Sequence, residues 1–282
     1  YNHMNCDYAR SLGFRLCNGA YAPNGVAEYT VMAILMCIRK FKKALYNTND
    51  NDFTLKGKMG RELRTMTVGV MGTGKIGFTV IKCLSGFGCR ILANDVYEND
   101  AVREYAEYVD LDTLYRESDI ITIHTPLLPE TTGMINRETI AKMKDGVVFI
   151  DNARGELVDN AALLNALNSG KVAQYFCDFP SEELLGVKGV ACTPHLGAST
   201  PESETNCAVM AAAELSDYLI NGNIAHSVNL PDVSQPRIHG KRICIIHKNE
   251  PGAISAITGI LTKARLNIEN MVNKGKKDVA YT

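Results

Sequence analysis

Apolar positions along this chain follow two alternating rhythms. Runs rich in Val, Ile and Leu predict buried strands over 67–71, 90–94, 119–124, 146–151, 174–178 and 189–193. Between them, apolar residues recur at three- and four-residue spacing and predict helices over 75–86, 99–107, 111–116, 137–143 and 159–168. Such alternation predicts an α/β fold with a parallel, doubly wound (Rossmann) sheet covered on both faces. Upstream, helical spacing runs from Val26 to Leu45, with Arg39, Lys40, Lys42 and Lys43 crowded towards its end, where cations suit the helix dipole. Residues 1–25 are mixed, with turn signals at Asn18-Gly19 and Pro23-Asn24-Gly25, and 47–52 is a polar linker.

Beyond the sheet, the pattern predicts a helix from Thr200 to Asn221, with Ser199 or Thr200 as its cap and Pro201 in its first turn. An extended, proline-containing segment follows from His226 to Pro236. The pattern then changes: a strand at Arg242–His247, a helix at Pro251–Ala264, a second strand at Leu266–Val272 and the start of a third at Ala280–Thr282. So short a segment with an unfinished sheet is marginal as an independent fold.

Length and charge narrow the function classes. The 282 residues suffice for two domains, and a net charge of −1 gives no basic footprint for nucleic acid. Nine cysteines, an odd number without a Cys-x-x-Cys pair, argue against a disulfide framework and a structural zinc site; no metal site is expected. Cysteines within apolar runs, such as Cys83, Cys177 and Cys192, read as small hydrophobes in a reducing compartment, the cytoplasm. The apolar run Val31–Ile38 is too short to span a bilayer, no signal peptide is visible, and no membrane association is expected. A first residue of Tyr1 rather than Met is expected to reflect truncation or processing.

Candidate chemistry clusters at the predicted strand ends, where such sheets bind ligands. The first strand runs into Gly72-x-Gly74-x-x-Gly77, with Lys75 and Ile76 opening the helix. Gly72 permits a tight turn, Gly74 a close backbone approach to a pyrophosphate, and Gly77 close packing of helix on strand. The anion would lie at the helix N-terminus. The next strand ends in Asp95, an acid at the spacing that accepts both hydroxyls of an adenosine ribose and repels a 2′-phosphate, so NAD is expected over NADP.

Three further residues could form a catalytic set. Arg154, in an Ala-Arg-Gly turn, could grip a carboxylate and adjacent carbonyl with its planar fork. His195, between Thr193-Pro194 and the small-residue loop Gly197-Ala198-Ser199, is a natural proton shuttle. Glu182 or Glu183 could orient the imidazole. Taken singly, each has a plainer role: Arg154 as a solvated turn, Glu182 as a surface acid, His195 as a structural histidine, and Asp178 as a cap on the following loop. His124 is expected to line the crevice without proton transfer, and His3, His226, His239 and His247 to be structural.

Together these motifs resemble the D-2-hydroxyacid dehydrogenase family, and within it the branch that oxidises D-3-phosphoglycerate. The shared residues are the Gly72–Gly77 loop with Asp95, His124-Thr-Pro-Leu127, Asn152-Ala-Arg-Gly155, the Asp178 loop and Thr193–Thr200. The last segment resembles an ACT module through Asn249-Glu-Pro-Gly252 and Asn267-Ile-Glu-Asn270. The resemblance implies that Arg154 binds the substrate carboxylate and carbonyl, His195 exchanges the proton and Glu182 supports it. This loop is one residue shorter than in many relatives, and counting from Asp178 would shift that support to Glu183. It also implies Asp178 at the nicotinamide carboxamide, with Thr125, Pro126, Ala153, Gly197 and Ala198 lining the cofactor.

The implied organisation is a partial, flavodoxin-like substrate domain from 1–46 and 201–225, an NAD domain from 47–200, a linker at 226–237 and a truncated ACT-like α+β domain from 238–282. Both ends are expected to be cut, giving a piece of a longer enzyme. The implied reaction converts D-3-phosphoglycerate to 3-phosphohydroxypyruvate, at the entry to serine synthesis. Another D-2-hydroxyacid dehydrogenase or 2-ketoacid reductase, acting on hydroxypyruvate or 2-oxoglutarate, is the first alternative; an NAD-sensing, corepressor-like binding protein is the second. The implied partners are a phosphorylated small-molecule substrate, an amino-acid effector at the ACT-like segment and further copies of the chain in a homodimer or tetramer.

Overall fold

A computed structural model describes residues 4–17, 22–237 and 240–282. The turn expected at Asn18-Gly19, together with His3 and His239, lies outside the described residues. In chain order the elements are α1 (Cys6–Ser11), α2 (Asn24–Ile38), α3 (Phe41–Asn49), β1 (Thr67–Met71), α4 (Lys75–Ser85), β2 (Arg90–Asn94), β3 (Glu107–Tyr108), α5 (Leu111–Glu117) and β4 (Ile120–Ile123). They continue with α6 (Arg137–Lys142), β5 (Val147–Asp151), α7 (Asn160–Ser169), β6 (Val172–Cys177), β7 (Val190–Cys192), α8 (Pro201–Asn221), β8 (Ile246–Lys248), α9 (Ala253–Lys263), β9 (Lys274–Lys276) and β10 (Val279–Tyr281).

The chain divides into two compact units, Pro23–Thr200 and a second formed by Tyr1–Ala22 with Pro201–Thr282. The first is an α/β unit with a seven-stranded parallel sheet in the order β3-β2-β1-β4-β5-β6-β7. Its strands read as unbroken apolar runs because both faces are covered. One face packs Val68, Val70, Ile120, Ile150 and Phe176 against Ala33 and Ile34 of α2 and Val80, Ile81 and Leu84 of α4. The other packs Ile121, Ile123, Phe149 and Tyr175 against Leu114 of α5, Ile140 of α6 and Leu163 of α7. The chain leaves β1 towards β2 and returns to the other side at β4, so β1 and β4 flank the switch point where such sheets open a crevice.

The structure departs from the sequence pattern at several elements. The helix expected from Val26 to Leu45 is two helices, because Lys40 adopts a left-handed conformation (φ 52°) between α2 and α3. The carbonyl of Ile38 there accepts the N–H of Arg61 at 3.0 Å, so a distant loop takes up a group the helix would have used. Helix α3 runs on through the first residues of the polar stretch, and the Pro23-Asn24-Gly25 turn signal is the start of α2, with Pro23 at its N-cap. Within the compact unit Pro23–Thr200, Asn152, just past β5, is tied to α2 by a buried Nδ2 hydrogen bond to Thr30 Oγ1 (3.0 Å).

In place of a helix over 99–107 there is a short 3-10 turn, Asp100–Glu104, followed by the edge strand β3. Two residues are too few to show strand alternation; Tyr108 is held there because its hydroxyl meets Thr73 Oγ1 at 2.7 Å.

In the second unit, Ile224, Leu230, Val233 and Tyr281 form a small core, and Asn229 bonds the carbonyl of Phe14 and the N–H of Leu16. Its sheet runs β8-β10-β9, antiparallel throughout. The strand expected at Leu266–Val272 is irregular. Pairing begins at Lys274, because the hairpin turn at 277–278, with Lys277 at φ 57°, sets which residues can face β10. Among the described residues, no helix is long and apolar enough to cross a membrane.

Candidate dinucleotide and acid–base site

The crevice is built from the glycine loop upward. After β1 the chain turns at Gly72 (φ 89°), where a Cβ would lie 2.8 Å from the carbonyl carbon and oxygen of His124 at the end of β4. At Gly77 a Cβ would lie 1.9 Å from the carbonyl oxygen of Gly72, so α4 presses directly on the loop. Gly74 is the opposite case. It is the N-cap of α4, no side chain caps the helix, and nothing lies within 4 Å of the place a Cβ would occupy. The first N–H groups of α4, on Lys75, Ile76 and Gly77, therefore border an open approach, the arrangement that receives an anion.

Asp95, just past β2, accepts Thr73 N–H at 2.6 Å, Thr73 Oγ1 at 3.2 Å and Tyr97 N–H at 3.0 Å. A carboxylate has about four acceptor sites, which leaves capacity for a ribose hydroxyl. Thr125 and Pro126 continue from β4, and the Thr125 hydroxyl is directed to Met134 Sδ at 3.7 Å. The His124 ring sits 3.1 Å from Thr122 Oγ1, and burial lowers its pKa to about 4, so near neutral pH it is uncharged.

The acid–base side lies at the ends of β5, β6 and β7. Asp151 closes β5 fully buried, and its Oδ1 accepts the N–H of Ala153 (2.9 Å) and of Arg154 (3.2 Å). That turn delivers Arg154, whose Nη1 donates to Ala153 O at 2.7 Å and whose guanidinium carbon stands 5.2 Å from the Phe179 ring centre. The Phe179 ring in turn stands 4.3 Å from that of His195, tilted by 48°. Phe179 is thus the shared wall between arginine and histidine. His195 is exposed and holds φ 56°, a conformation an L-residue keeps only where its surroundings impose it.

Asp178 imposes it. Its carbonyl accepts the His195 N–H at 3.0 Å, its Oδ1 accepts Thr193 Oγ1 (2.6 Å) and Leu196 N–H (2.9 Å), and its Oδ2 accepts Gly197 N–H (2.8 Å). Both carboxylate oxygens are engaged by the 193–197 loop, the capping role that the sequence left open beside a nicotinamide contact. At Gly197 a Cβ would come within 3.3 Å of Asp178 Oδ2, a tight but not prohibitive approach; Ala198 follows half-buried.

Glu182 and Glu183 open an exposed 3-10 turn, and Glu183 Oε1 accepts Asn160 Nδ2 at 2.6 Å. Among the described residues neither has a hydrogen bond to the His195 ring. Two residues that sequence reasoning left without a role stand out. Asp151 had a usable signal, an Asx residue two and three positions before the N–H groups it binds. Phe179 had none, because its place between two side chains depends on strand register.

His195, Phe179, Asp178 and Gly155 border a cavity of about 510 Å³, whose other lining residues include Tyr175 and Leu184. None of the described residues lining it is lysine or arginine.

Comparison with known proteins shows the family and the fold. Residues 31–197 match the family described as D-isomer specific 2-hydroxyacid dehydrogenase, NAD binding domain. An aromatic 2-oxoacid reductase of Clostridium sporogenes is 40% identical over 243 residues, spanning 78% of this chain and 73% of that protein. The crystal structure of a D-lactate dehydrogenase from Treponema pallidum superposes with a TM-score of 0.76 at 30% identity, covering 82% of this chain and 76% of the other. The D-lactate dehydrogenase of Aquifex aeolicus, solved with NAD and lactic acid, gives 0.73 at 30% identity, covering 82% and 78%.

Proposed function

We propose, starting from the fact that the chain belongs to the D-isomer specific 2-hydroxyacid dehydrogenase family, that it interconverts 2-oxoacids bearing an apolar or aromatic side chain with the corresponding D-2-hydroxyacids. Its cofactor is NAD. The dinucleotide, when bound, supplies or accepts the hydride. The chain's own residues do the rest. Arg154 would hold the substrate carboxylate through its fork and polarise the neighbouring carbonyl. In the reductive direction, protonated His195 would donate to the C2 oxygen; in the oxidative direction it would take that proton back. Asp178 would keep the imidazole at this position through the 193–197 loop, and Asp95 would select NAD by its charge.

The observation that carries this reading is the wall of Phe179 with Arg154 on one side and His195 on the other, at the edge of a cavity lined by Tyr175, Val158 and Leu184 together with the polar Glu156, Asn160 and Ser181. The named relatives act on aromatic 2-oxoacids or lactate, which supports the 2-oxoacid alternative over phosphoglycerate. The strand–helix–strand–strand order after residue 245 is the feature that speaks for the phosphoglycerate branch.

The deciding experiment is NADH oxidation with pyruvate, phenylpyruvate and 3-phosphohydroxypyruvate in parallel. Turnover of the first two, with kcat lowered at least about a hundredfold in His195→Asn while NADH affinity is kept, is the expected outcome. Arg154→Ala should raise KM and lower kcat together. Preference for the phosphorylated acid would return the reading to phosphoglycerate. NADH binding without turnover of any acid would favour an NAD-sensing protein.

A further inference from the structure

Cysteines at the carboxyl ends of two neighbouring strands form a feature that the proposed reaction does not use. Cys177 ends β6 and Cys192 ends β7, and the two are direct partners in the parallel register. Adjacent strands lie about 4.8 Å apart, inside the 4.4–6.8 Å span of Cα separations that a disulfide accepts. The side chains already meet, with the Cys177 thiol directed at Cys192 Sγ at 3.5 Å. Seven other cysteines are free in the chain, and this pair is distinct in its register and contact.

The pair is also asymmetric. Cys177 is fully buried, whereas Cys192 is half-buried and open to small reagents. The hydrogen bond from Cys177 lowers the Cys192 pKa to about 7, and the Lys42 ammonium acts in the same direction. Lys42 Nζ reaches the carbonyl of Val190, two residues before Cys192, at 3.1 Å. The hydrogen bond to the neighbouring Cys192 sulfur, and then burial, push the Cys177 thiol up. Cys192 is therefore the member suited to attack an oxidant, and Cys177 is placed by register to meet the product.

We propose that Cys177 and Cys192 are an oxidative modification site that closes reversibly to a disulfide and thereby displaces the loop carrying His195. With hydrogen peroxide as oxidant, the Cys192 thiolate attacks one peroxide oxygen, the O–O bond breaks, and hydroxide leaves to be protonated to water. The resulting sulfenic acid is then attacked by the Cys177 sulfur, which loses its proton. The S–O bond breaks and a second water leaves. In sum, two thiols and one peroxide give one disulfide and two waters.

The consequence follows from what stands one residue further on. Asp178 and Thr193 directly follow the two cysteines, and their 2.6 Å hydrogen bond, with the Thr193 N–H to Cys177 O at 3.0 Å, anchors the turn into His195. Drawing the sulfurs from 3.5 Å to about 2.05 Å pulls on that anchor. Disulfide formation stands independently of the proposed reaction; its effect on turnover rests on that reading.

The test is peroxide treatment of the whole chain, followed by peptide mapping under non-reducing conditions. The expected result is a cross-linked species joining the Cys177 and Cys192 peptides, two hydrogens lighter than their sum, which dithiothreitol reverses. In Cys192→Ser the cross-link should vanish and Cys177 stay reduced. In Cys177→Ser, Cys192 should instead be captured by dimedone as the sulfenic acid; Cys177→Ala serves if the serine variant melts early. Oxidation of Cys192 without a cross-link in the parent, or reactivity of Cys192 no greater than that of exposed Cys17 and Cys244, would overturn the proposal. Turnover of whichever 2-oxoacid the parent reduces should fall at least about tenfold on oxidation and recover with dithiothreitol. A cross-linked chain with full turnover would refute the coupling to His195 while leaving the 2-oxoacid reading intact.

Discussion

At the scale of single residues, Asp151 is the buried group whose state most affects its surroundings. The hydrogen bonds from Ala153 and Arg154 favour its carboxylate, but burial outweighs them and raises its pKa to about 7. The ionisable groups around it are Tyr175, whose hydroxyl lies 3.5 Å from Oδ2, Glu156, which raises it further, and Cys177 in register on the next strand. The folded chain therefore keeps a proton that the unfolded chain releases near pH 4. Its contribution to stability is present below about pH 4 and is lost as pH rises towards 7. Asp151→Asn keeps an oxygen for both N–H groups and removes the ionisation. Urea unfolding should show the variant level with the parent at acid pH and more stable above pH 7, by up to about 4 kcal/mol, the value of a three-unit shift. A parent whose stability does not change between pH 5 and 8 would contradict this.

Among elements, the β1–α4 unit shows how one motif combines two opposite demands. Gly77 is required by packing, because a side chain would collide with the Gly72 carbonyl at 1.9 Å. Gly74 is not required by packing, because its surroundings are open and its φ of −60° suits any residue, so the proposed dinucleotide is what would require it. Gly77→Ala should therefore destabilise the fold by about 3 kcal/mol or more, seen as an early thermal transition. Gly74→Ala should leave the melting temperature almost unchanged, within about 0.5 kcal/mol, yet weaken NADH binding at least about tenfold in a fluorescence titration. Equal losses of stability in the two variants would mean that the loop is not open at Gly74.

Across the whole molecule, stability is distributed unevenly. The Pro23–Thr200 unit buries apolar residues on both faces of a seven-stranded sheet, whereas among the described residues the second unit has a small core around Ile224, Leu230, Val233 and Tyr281 and a three-stranded sheet. Helix α9 has no buried residue, and Ile260 on it is 67% exposed. Local opening costs less where fewer apolar contacts are lost. Amides of β1, β4, β5 and β6 should exchange orders of magnitude more slowly than those of β8, β9 and β10 in a hydrogen-exchange experiment. Comparable protection in both sheets would show that the smaller unit is stabilised by something other than its own core.

The sequence by itself determined whatever depends on neighbours along the chain. The alternation of apolar runs and helical spacing specified the parallel sheet, and the glycines with Asp95 raised the expectation of a dinucleotide site, because turns, helix starts and strand ends are set within a few residues. Tertiary structure decided what depends on segments meeting across the sheet. The break at Lys40 comes from a carbonyl claimed by Arg61, and β3 exists because β2 offers an edge and Thr73 a partner for Tyr108. Asp178 is committed to the 193–197 loop, Phe179 stands between Arg154 and His195, and Glu182 stays on the surface. Cys177 meets Cys192 through the same cause: parallel register pairs residues fifteen positions apart in the chain, a relation that local periodicity does not encode.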